Sequence, residues 1–358
     1  MKYVVNCRFI SQKTTGVQRF AHESCLNTLD ILGSNVEFVC PRGKFKNELD
    51  SKLMIKEIGI FKGHLWEQID LPLYCFFKKR ILISFCGLPP IFFKNTIYTI
   101  HDIAHIRFPE FFNFIYRWVY KIVVKISYKR ILSINTVSYF TRNEVIDFFG
   151  LRKINILNNS VNYLLYNQKK DNPKVKILKE IKNKKYILVV GSLDPRKNLQ
   201  NLIDAFIKEN DDDYFLLVVG SENKVFKNKS PYLKDKKIIF TGYLSDEDLY
   251  MCYKKAQCFF YPSLYEGFGI PPLEAIFYNT PIAISDIKVH KEIFGEYAFY
   301  FDPLKIGNIK NIISKAQEIK EKNTFKGIHI NHPLVIKYSK NNQRKQLKKI
   351  LRETDETS

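Results

Sequence analysis

Residues 261–280 read YPSLYEGFGIPPLEAIFYNT. Two carboxylates, Glu266 and Glu274, bracket a Gly-Phe-Gly-Ile turn and the pair Pro271-Pro272. Upstream, Gln257 to Tyr261 (QCFFY) is an apolar run of strand length. Downstream, Leu273, Ala275, Ile276 and Phe277 continue as a helix, which the prolines can begin because a first helical turn does not need their missing N–H. The order is strand, glycine-containing loop, helix. Gly267 and Gly269 let the loop backbone approach a ligand, and free N–H groups at the helix start attract phosphate oxygens. Two acids beside an anion would repel it, so they are expected to face hydroxyl donors. A ligand with both phosphate and polyol, a nucleotide sugar, fits these demands. The alternative is a solvated acid pair around a structural turn.

Two glutamates eight positions apart are common on helices, so the spacing says little by itself. The whole string PSLYEGFGIPPLEA says more: it closely resembles the donor-site motif of the retaining family 4 glycosyltransferases. That resemblance implies an α/β chain of the GT-B fold, with two Rossmann-like domains facing a central cleft and a C-terminal helix crossing back to the first domain. It also implies that Gly267, Phe268, Gly269, Ile270 and Glu274 bind the donor, with Glu274 on the ribose hydroxyls. Glu266 would contact sugar hydroxyls near the reacting carbon.

A chain of 358 residues, 46% hydrophobic, suits two domains. Its formal charge of +21 favours anionic partners, whether nucleic acid, lipid surface or small anions, without choosing among them. Seven cysteines with no CxxC pair suggest reduced thiols. MKYVVNCRF enters a strand-like run without an apolar signal region, and Pro89-Pro90 interrupts the longest candidate span. The expectation is a cytoplasmic chain.

In order, a strand at Tyr3 to Val5 leads through a polar loop to Gly16. From Val17 the apolar residues Val17, Phe20, Ala21, Cys25, Leu29 and Leu32 recur at helical spacing. Gly16 is thus either a plain helix start or a second phosphate-facing loop. The resemblance favours the second reading, with Gln18 and Arg19 at the mouth. Strand-like runs at Val36 to Cys40, Ile81 to Phe85, Ile97 to Ile100 and Ile131 to Val137 predict a parallel sheet covered on both faces. His101-Asp102 ends one of them, where side chains line a binding crevice. Locally His101 reads as structural. IYTIHDIAHIRFPE resembles the family's His-Asp segment, which implies that His101 bonds the transferred sugar. HLWEQIDLP from His64 resembles a segment of relatives acting on bacterial surface polysaccharides, and it also fits a structural role.

Between Arg107 and Arg130, the residues Arg117, Lys121, Lys125 and Lys129 form a basic helical stripe among aromatic residues. Such a stripe suits an anionic membrane surface. A packed family helix with merely solvated lysines is the alternative. No zinc pattern or RNA-binding signature accompanies it, which argues against nucleic acid.

The domain boundary is expected between Asn162 and Lys185. Just before it, ILNNSVN has Ser160 where relatives carry glycine; either the hinge differs or Asn159 takes the left-handed position. After the strand Tyr186 to Val190 comes GSLDPRKNLQNLIDAF, with Asn198 expected as N-cap. Arg196 and Lys197 then stand at a helix start, where cations are disfavoured unless an anion joins them. The segment resembles the family's basic pair, which implies that it neutralises the donor diphosphate. Further strands are expected at Leu216 to Val219, Ile238 to Thr241 and Ile282 to Ile284, and a helix at Leu244 to Tyr253. Asn279 replaces a usual glycine and can take a left-handed C-cap. Asp211-Asp212-Asp213 reads as a solvated acidic turn, so neither a metal nor another cofactor is expected. Tyr338-Ser339-Lys340 lacks a tryptophan that relatives carry before the crossing helix.

The expected domains are 1–165 (acceptor side), 166–185 (linker), 186–325 (nucleotide-sugar side) and 326–358 (crossing helix and basic tail). The expected activity is retaining transfer of a hexose, best mannose from GDP-mannose, with Glu266, His101, Arg196 and Lys197 as catalytic residues. The acceptor would be a polyprenyl-diphosphate-linked oligosaccharide of O-antigen or capsule, met at the cytoplasmic face of the inner membrane. Alternatives are a UDP or dTDP sugar donor, or a non-catalytic nucleotide-sugar or nucleic-acid binding protein.

Overall fold

The computed structural model describes residues 3–12, 15–43, 50–128, 130–150, 153–161, 184–192, 194–209, 213–220, 235–322 and 332–357. Two compact units divide the chain: Met1–Ser160 together with Tyr338–Ser358, and Val161–Lys337. The expected boundary falls mostly outside the described residues, as do Lys129, Asp211 and Asp212.

The first unit is built on seven parallel strands: β1 (Tyr3–Asn6), β2 (Val36–Pro41), β3 (Lys56–Ile58), β4 (Ile81–Ser84), β5 (Thr96–Ile100), β6 (Ser133–Thr136) and β7 (Asn155–Ile156). Their spatial order is β3-β2-β1-β4-β5-β6-β7. The central strands β1, β4 and β5 are buried along their whole length, which is why they read as unbroken apolar runs. β3 and β7 went unread because three- and two-residue edge strands carry no periodic pattern. The order reverses between β1 and β4, and in such sheets the carboxyl ends at that reversal open a binding crevice.

The HLWEQIDLP segment braces this edge. Trp66 to Asp70 form a π-helical turn. Trp66 is fully buried and its indole N–H donates to the Ile58 carbonyl at 2.9 Å. Glu67, also buried, is ion-paired with Arg8, whose Nε lies 2.8 Å from Oε1, and accepts from Asn6 Nδ2 at 3.2 Å. Asp70 accepts from the N–H groups of Ile60 and Phe61 at 2.8 and 2.7 Å. Gly87, at φ +89°, passes so close that a Cβ there would lie 2.1 Å from Glu67 Oε1. Such a side chain would collide with the carboxylate.

The last helix, Lys340–Thr357, belongs to the first unit and packs on the Gly16–Leu32 helix. Gln343 accepts from Asn27 Nδ2 at 2.7 Å, and Arg344 pairs with Asp30. Tyr338 is buried at its start, so docking is achieved without the tryptophan. Neither Ser160 nor Asn159 takes a left-handed backbone. Ser160 Oγ instead donates to Gln343 Oε1 at 3.3 Å, and the Asn158 carbonyl accepts from Gln343 Nε2 at 2.9 Å. Anchorage to the last helix sets this turn.

The second unit has six parallel strands: β8 (Lys185–Val190), β9 (Tyr214–Val219), β10 (Ile238–Gly242), β11 (Cys258–Tyr261), β12 (Ile282–Ser285) and β13 (Phe299–Phe301). The order is β10-β9-β8-β11-β12-β13, reversing between β8 and β11. One apolar cluster joins the strands to the Leu199–Glu209 and Ile309–Lys322 helices through Leu202, Phe206, Phe260 and Ile312. All seven cysteines are buried free thiols. Burial pushes those of Cys75 and Cys252 up to about 12.

Candidate functional site

The loops leaving β8 and β11 flank the reversal of the second sheet. The β11 loop runs to Gly269, and the Ile270–Phe277 helix follows with both prolines in its first turn. Gly269 lies at φ +106°, a left-handed backbone open to glycine. Asn279 is left-handed at φ 59° just past the helix end, as its identity predicts. Phe268 is 3% exposed, so its side chain is core and its contribution to a ligand is limited to backbone.

After β8, Pro195–Lys197 forms a short 3-10 turn rather than the first turn of the long helix, which begins at Leu199. Asp194 caps this turn: its carboxylate accepts from Arg196 N–H at 2.9 Å. Asn198 is left-handed, at φ 55°, and its amide donates to the Pro303 carbonyl at 2.7 Å. That geometry corrects the N-cap expectation, because a capping residue keeps an extended backbone.

Both cations of the turn already have anions. Arg196 reaches Asp194 through Nε at 3.1 Å and through a terminal nitrogen at 2.7 Å. Lys197 Nζ donates to Glu266 Oε1 at 2.5 Å and to the Tyr261 hydroxyl at 3.0 Å. The Arg196 carbonyl accepts from Leu264 N–H at 2.8 Å, tying the two loops together. Burial works against both charges of the Lys197–Glu266 pair. Their mutual attraction overrides it, leaving Lys197 above the usual lysine range and Glu266 below the usual carboxylate range. Burial likewise opposes the Asp194 charge, but its bonds to Arg196 hold its carboxyl low. The site is thus a charge-balanced cluster at pH 7.

Glu274 is buried on the Ile270–Phe277 helix, and Oε2 accepts from the Tyr253 hydroxyl at 2.9 Å. Tyr253 comes from the Asp246–Lys255 helix, whose N-cap is Ser245. Arg196, Lys197, Glu266, Glu274 and the Gly267–Ile270 backbone therefore all belong to the second unit. Gly16 and His101 belong to the first.

Gly16 begins its helix, and the Thr15 N–H donates to Gln18 Oε1 at 3.1 Å. Gln18 therefore serves its own helix start. His101 follows β5, and its Nε2–H donates to the Phe85 carbonyl at 2.8 Å. Burial lowers its pKa against the opposing pull of Phe85 and Asp102, so Nδ1 is an acceptor at neutral pH. Phe20 meets the imidazole edge-on at 4.8 Å.

The Phe114–Tyr128 helix has one covered side and one exposed side. Val123, Val124 and Ser127 are buried, while Phe114, Trp118, Ile122 and Ile126 form an exposed apolar row beside Arg117, Lys121 and Lys125. Among the described residues, no helix is long and apolar enough to cross a membrane, and no group of three or more His, Cys, Asp or Glu could hold a metal ion.

His290 escaped the sequence reading. It sits on the Lys288–Phe294 helix, fully buried, with Nδ1 bonded to the Ser285 carbonyl at 2.9 Å. Its ring lies 5.5 Å from that of Tyr261. The available signal was a histidine five residues past a strand whose end shares an edge with the Glu266 loop.

Residues 170–325 match the family model described as "Glycosyl transferases group 1". The O-antigen chain mannosyltransferase RfbU of Salmonella typhimurium is 32% identical over 235 residues, 63% of this chain and 61% of that protein. O-antigen chain mannosyltransferase B of Escherichia coli is 31% identical over 141 residues, 37% of each chain. The chain thus spans less than two thirds of the length of these relatives. Among solved structures, a glycosyltransferase from Rickettsia africae aligns over 100% of this chain and 99% of that one, at TM-score 0.70 and 16% identity. Anabaena Alr3699/HepE in complex with UDP and glucose aligns over 98% and 99%, at the same TM-score and identity. The fold is GT-B.

Proposed function

We propose that this chain is a glycosyltransferase that moves a hexose from a nucleotide diphosphate sugar to a lipid-linked oligosaccharide, with retention at the anomeric carbon. The observation that carries the reading is the Lys197–Glu266 pair at the β8/β11 reversal, with the Ile270–Phe277 helix start and Glu274 beside it. As the glycosidic bond stretches, negative charge grows on the departing diphosphate. Arg196, Lys197 and the backbone amides from Gly267 to Ile270 offset it. Glu266 holds sugar hydroxyls while keeping Lys197 charged and fixed. Glu274, steadied by Tyr253, accepts from ribose hydroxyls. In this reading the chain's own cations serve the diphosphate, and no divalent metal is needed.

The mannosyltransferase relatives favour mannose from GDP-mannose, in O-antigen or capsule synthesis. A UDP-hexose is the second reading, favoured by the UDP and glucose held by the Anabaena neighbour. The apolar row of the Phe114–Tyr128 helix with its basic flank supports docking on an anionic membrane surface, where a polyprenyl-diphosphate acceptor would be met.

The test is thermal unfolding with GDP, UDP, dTDP and their sugar conjugates, against wild type and Glu274→Ala. A midpoint raised by one nucleotide in the wild type and lost in the variant supports the reading. Stabilisation by short nucleic acids alone would sink it. Transfer measured with and without a chelator tests the metal-free mechanism, and the anomeric configuration of the product tests retention.

A further inference from the structure

His290 carries a buried polar atom that the proposed chemistry leaves unused. Its Nδ1 donates to the Ser285 carbonyl, which makes Nε2 the unprotonated nitrogen. Nε2 is buried and has no hydrogen-bond partner among the described residues. Buried polar atoms are seldom left so, and a native orphan calls for a partner from outside the chain. The ring lies within electrostatic reach of Glu266 and Lys197, and Tyr261 packs against it. On its other side, Cδ2 stands 3.8 Å from where a Cβ on Gly269 would be, so the imidazole lies against the glycine of the Glu266 loop.

The missing partner must be a hydrogen donor. An anion is unsuited, because Nε2 offers a lone pair, and burial holds the ring neutral with a pKa down to about 4. Beside it the Glu266 carboxylate is a second acceptor, while Lys197 donates to Glu266 and Tyr261. Two neighbouring acceptors match a ligand with neighbouring hydroxyls.

We propose that His290 is a sugar-binding residue of the donor site, whose Nε2 accepts a hydrogen bond from a hydroxyl of the hexose carried by the nucleotide. This rests on the nucleotide-sugar reading above and adds a residue that discriminates the sugar from the bare diphosphate. His290→Asn keeps an amide donor for the Ser285 carbonyl and deletes the Nε2 acceptor.

The experiment is calorimetric titration of the full chain with GDP and GDP-mannose, and with UDP and UDP-glucose, near neutral pH. The expected result is about ten-fold weaker binding of the sugar conjugate by His290→Asn, with the bare diphosphate unchanged. Equal weakening of both ligands, or of neither, overturns the proposal; the first outcome marks a structural role and the second a water on Nε2. A wild type that binds no nucleotide or conjugate overturns the underlying reading as well, and is thereby told apart. If His290→Asn does not fold, nitrogen NMR of the seven histidines in the wild type decides. The Nε2 resonance of His290 should move upfield with the conjugate and not with the diphosphate; no difference between the two overturns the proposal.

Discussion

Lys197 Nζ stands 2.5 Å from Glu266 Oε1, joining loops 69 residues apart in the chain. Side chains so little exposed, 24% and 13%, are partly desolvated, so each charge needs the other. Lys197→Met or Glu266→Gln alone should cost stability, by about 3 kcal/mol in urea unfolding. The double variant should recover part of that loss, with a coupling of about 1–3 kcal/mol. Additive effects would show that the pair does not act as a unit. Glu266→Gln should also lower transfer turnover by roughly 100-fold while leaving the fold intact.

Tyr253→Phe removes the donor to the buried Glu274 carboxylate. It should lower stability by about 1–3 kcal/mol and diminish the thermal shift given by the nucleotide. A full thermal shift in this variant would separate Glu274 from nucleotide binding.

Stability should fall in acid before ordinary carboxylates titrate. Burial brings His290 from 6.5 to about 4 in the fold, so its contribution is complete above pH 6.5 and is lost as pH falls through 4. That is about 3 kcal/mol for His290. His22, lowered to about 4 by burial and by nearby Lys340, Lys52 and Arg19, adds to the same window. Urea unfolding across this range should show the loss, and His290→Asn should flatten part of the slope. An unchanged slope would mean that the His290 pKa does not differ between the folded and unfolded chain.

Vesicles of anionic lipid should sediment the wild type and release it as salt rises, since the basic flank supplies a screened attraction. Trp118→Ala with Ile122→Ser, both at exposed positions, should weaken sedimentation with little change in melting temperature. Equal sedimentation of wild type and variant would assign the apolar row another role.

The parallel sheets, the Pro271-Pro272 helix start and the Asn279 cap were legible because each rests on neighbours within a few residues. Asp194, two positions before Arg196, was equally local, yet the short turn it caps was not separated from the helix that begins at Leu199. The pairing of Lys197 with Glu266 was not legible, because only the adjacency of β8 and β11 brings them together. The basic stripe on the Phe114–Tyr128 helix was visible as a spacing. That its apolar neighbours face outward depends on which side of the helix the unit covers, and Val123 and Val124 sit on the covered side. His290 shows no motif, and its interest arises from a bond geometry that frees one ring nitrogen.

The placement of the Lys340–Thr357 helix on the Gly16–Leu32 helix gives synthesis of the chain an order. Val161–Lys337 is one contiguous stretch and can complete its sheet without the Lys340–Thr357 helix. The first unit must wait for its own final helix. Until then Asn27, buried in the finished unit, lacks its Gln343 partner. The part made first is therefore the part finished last.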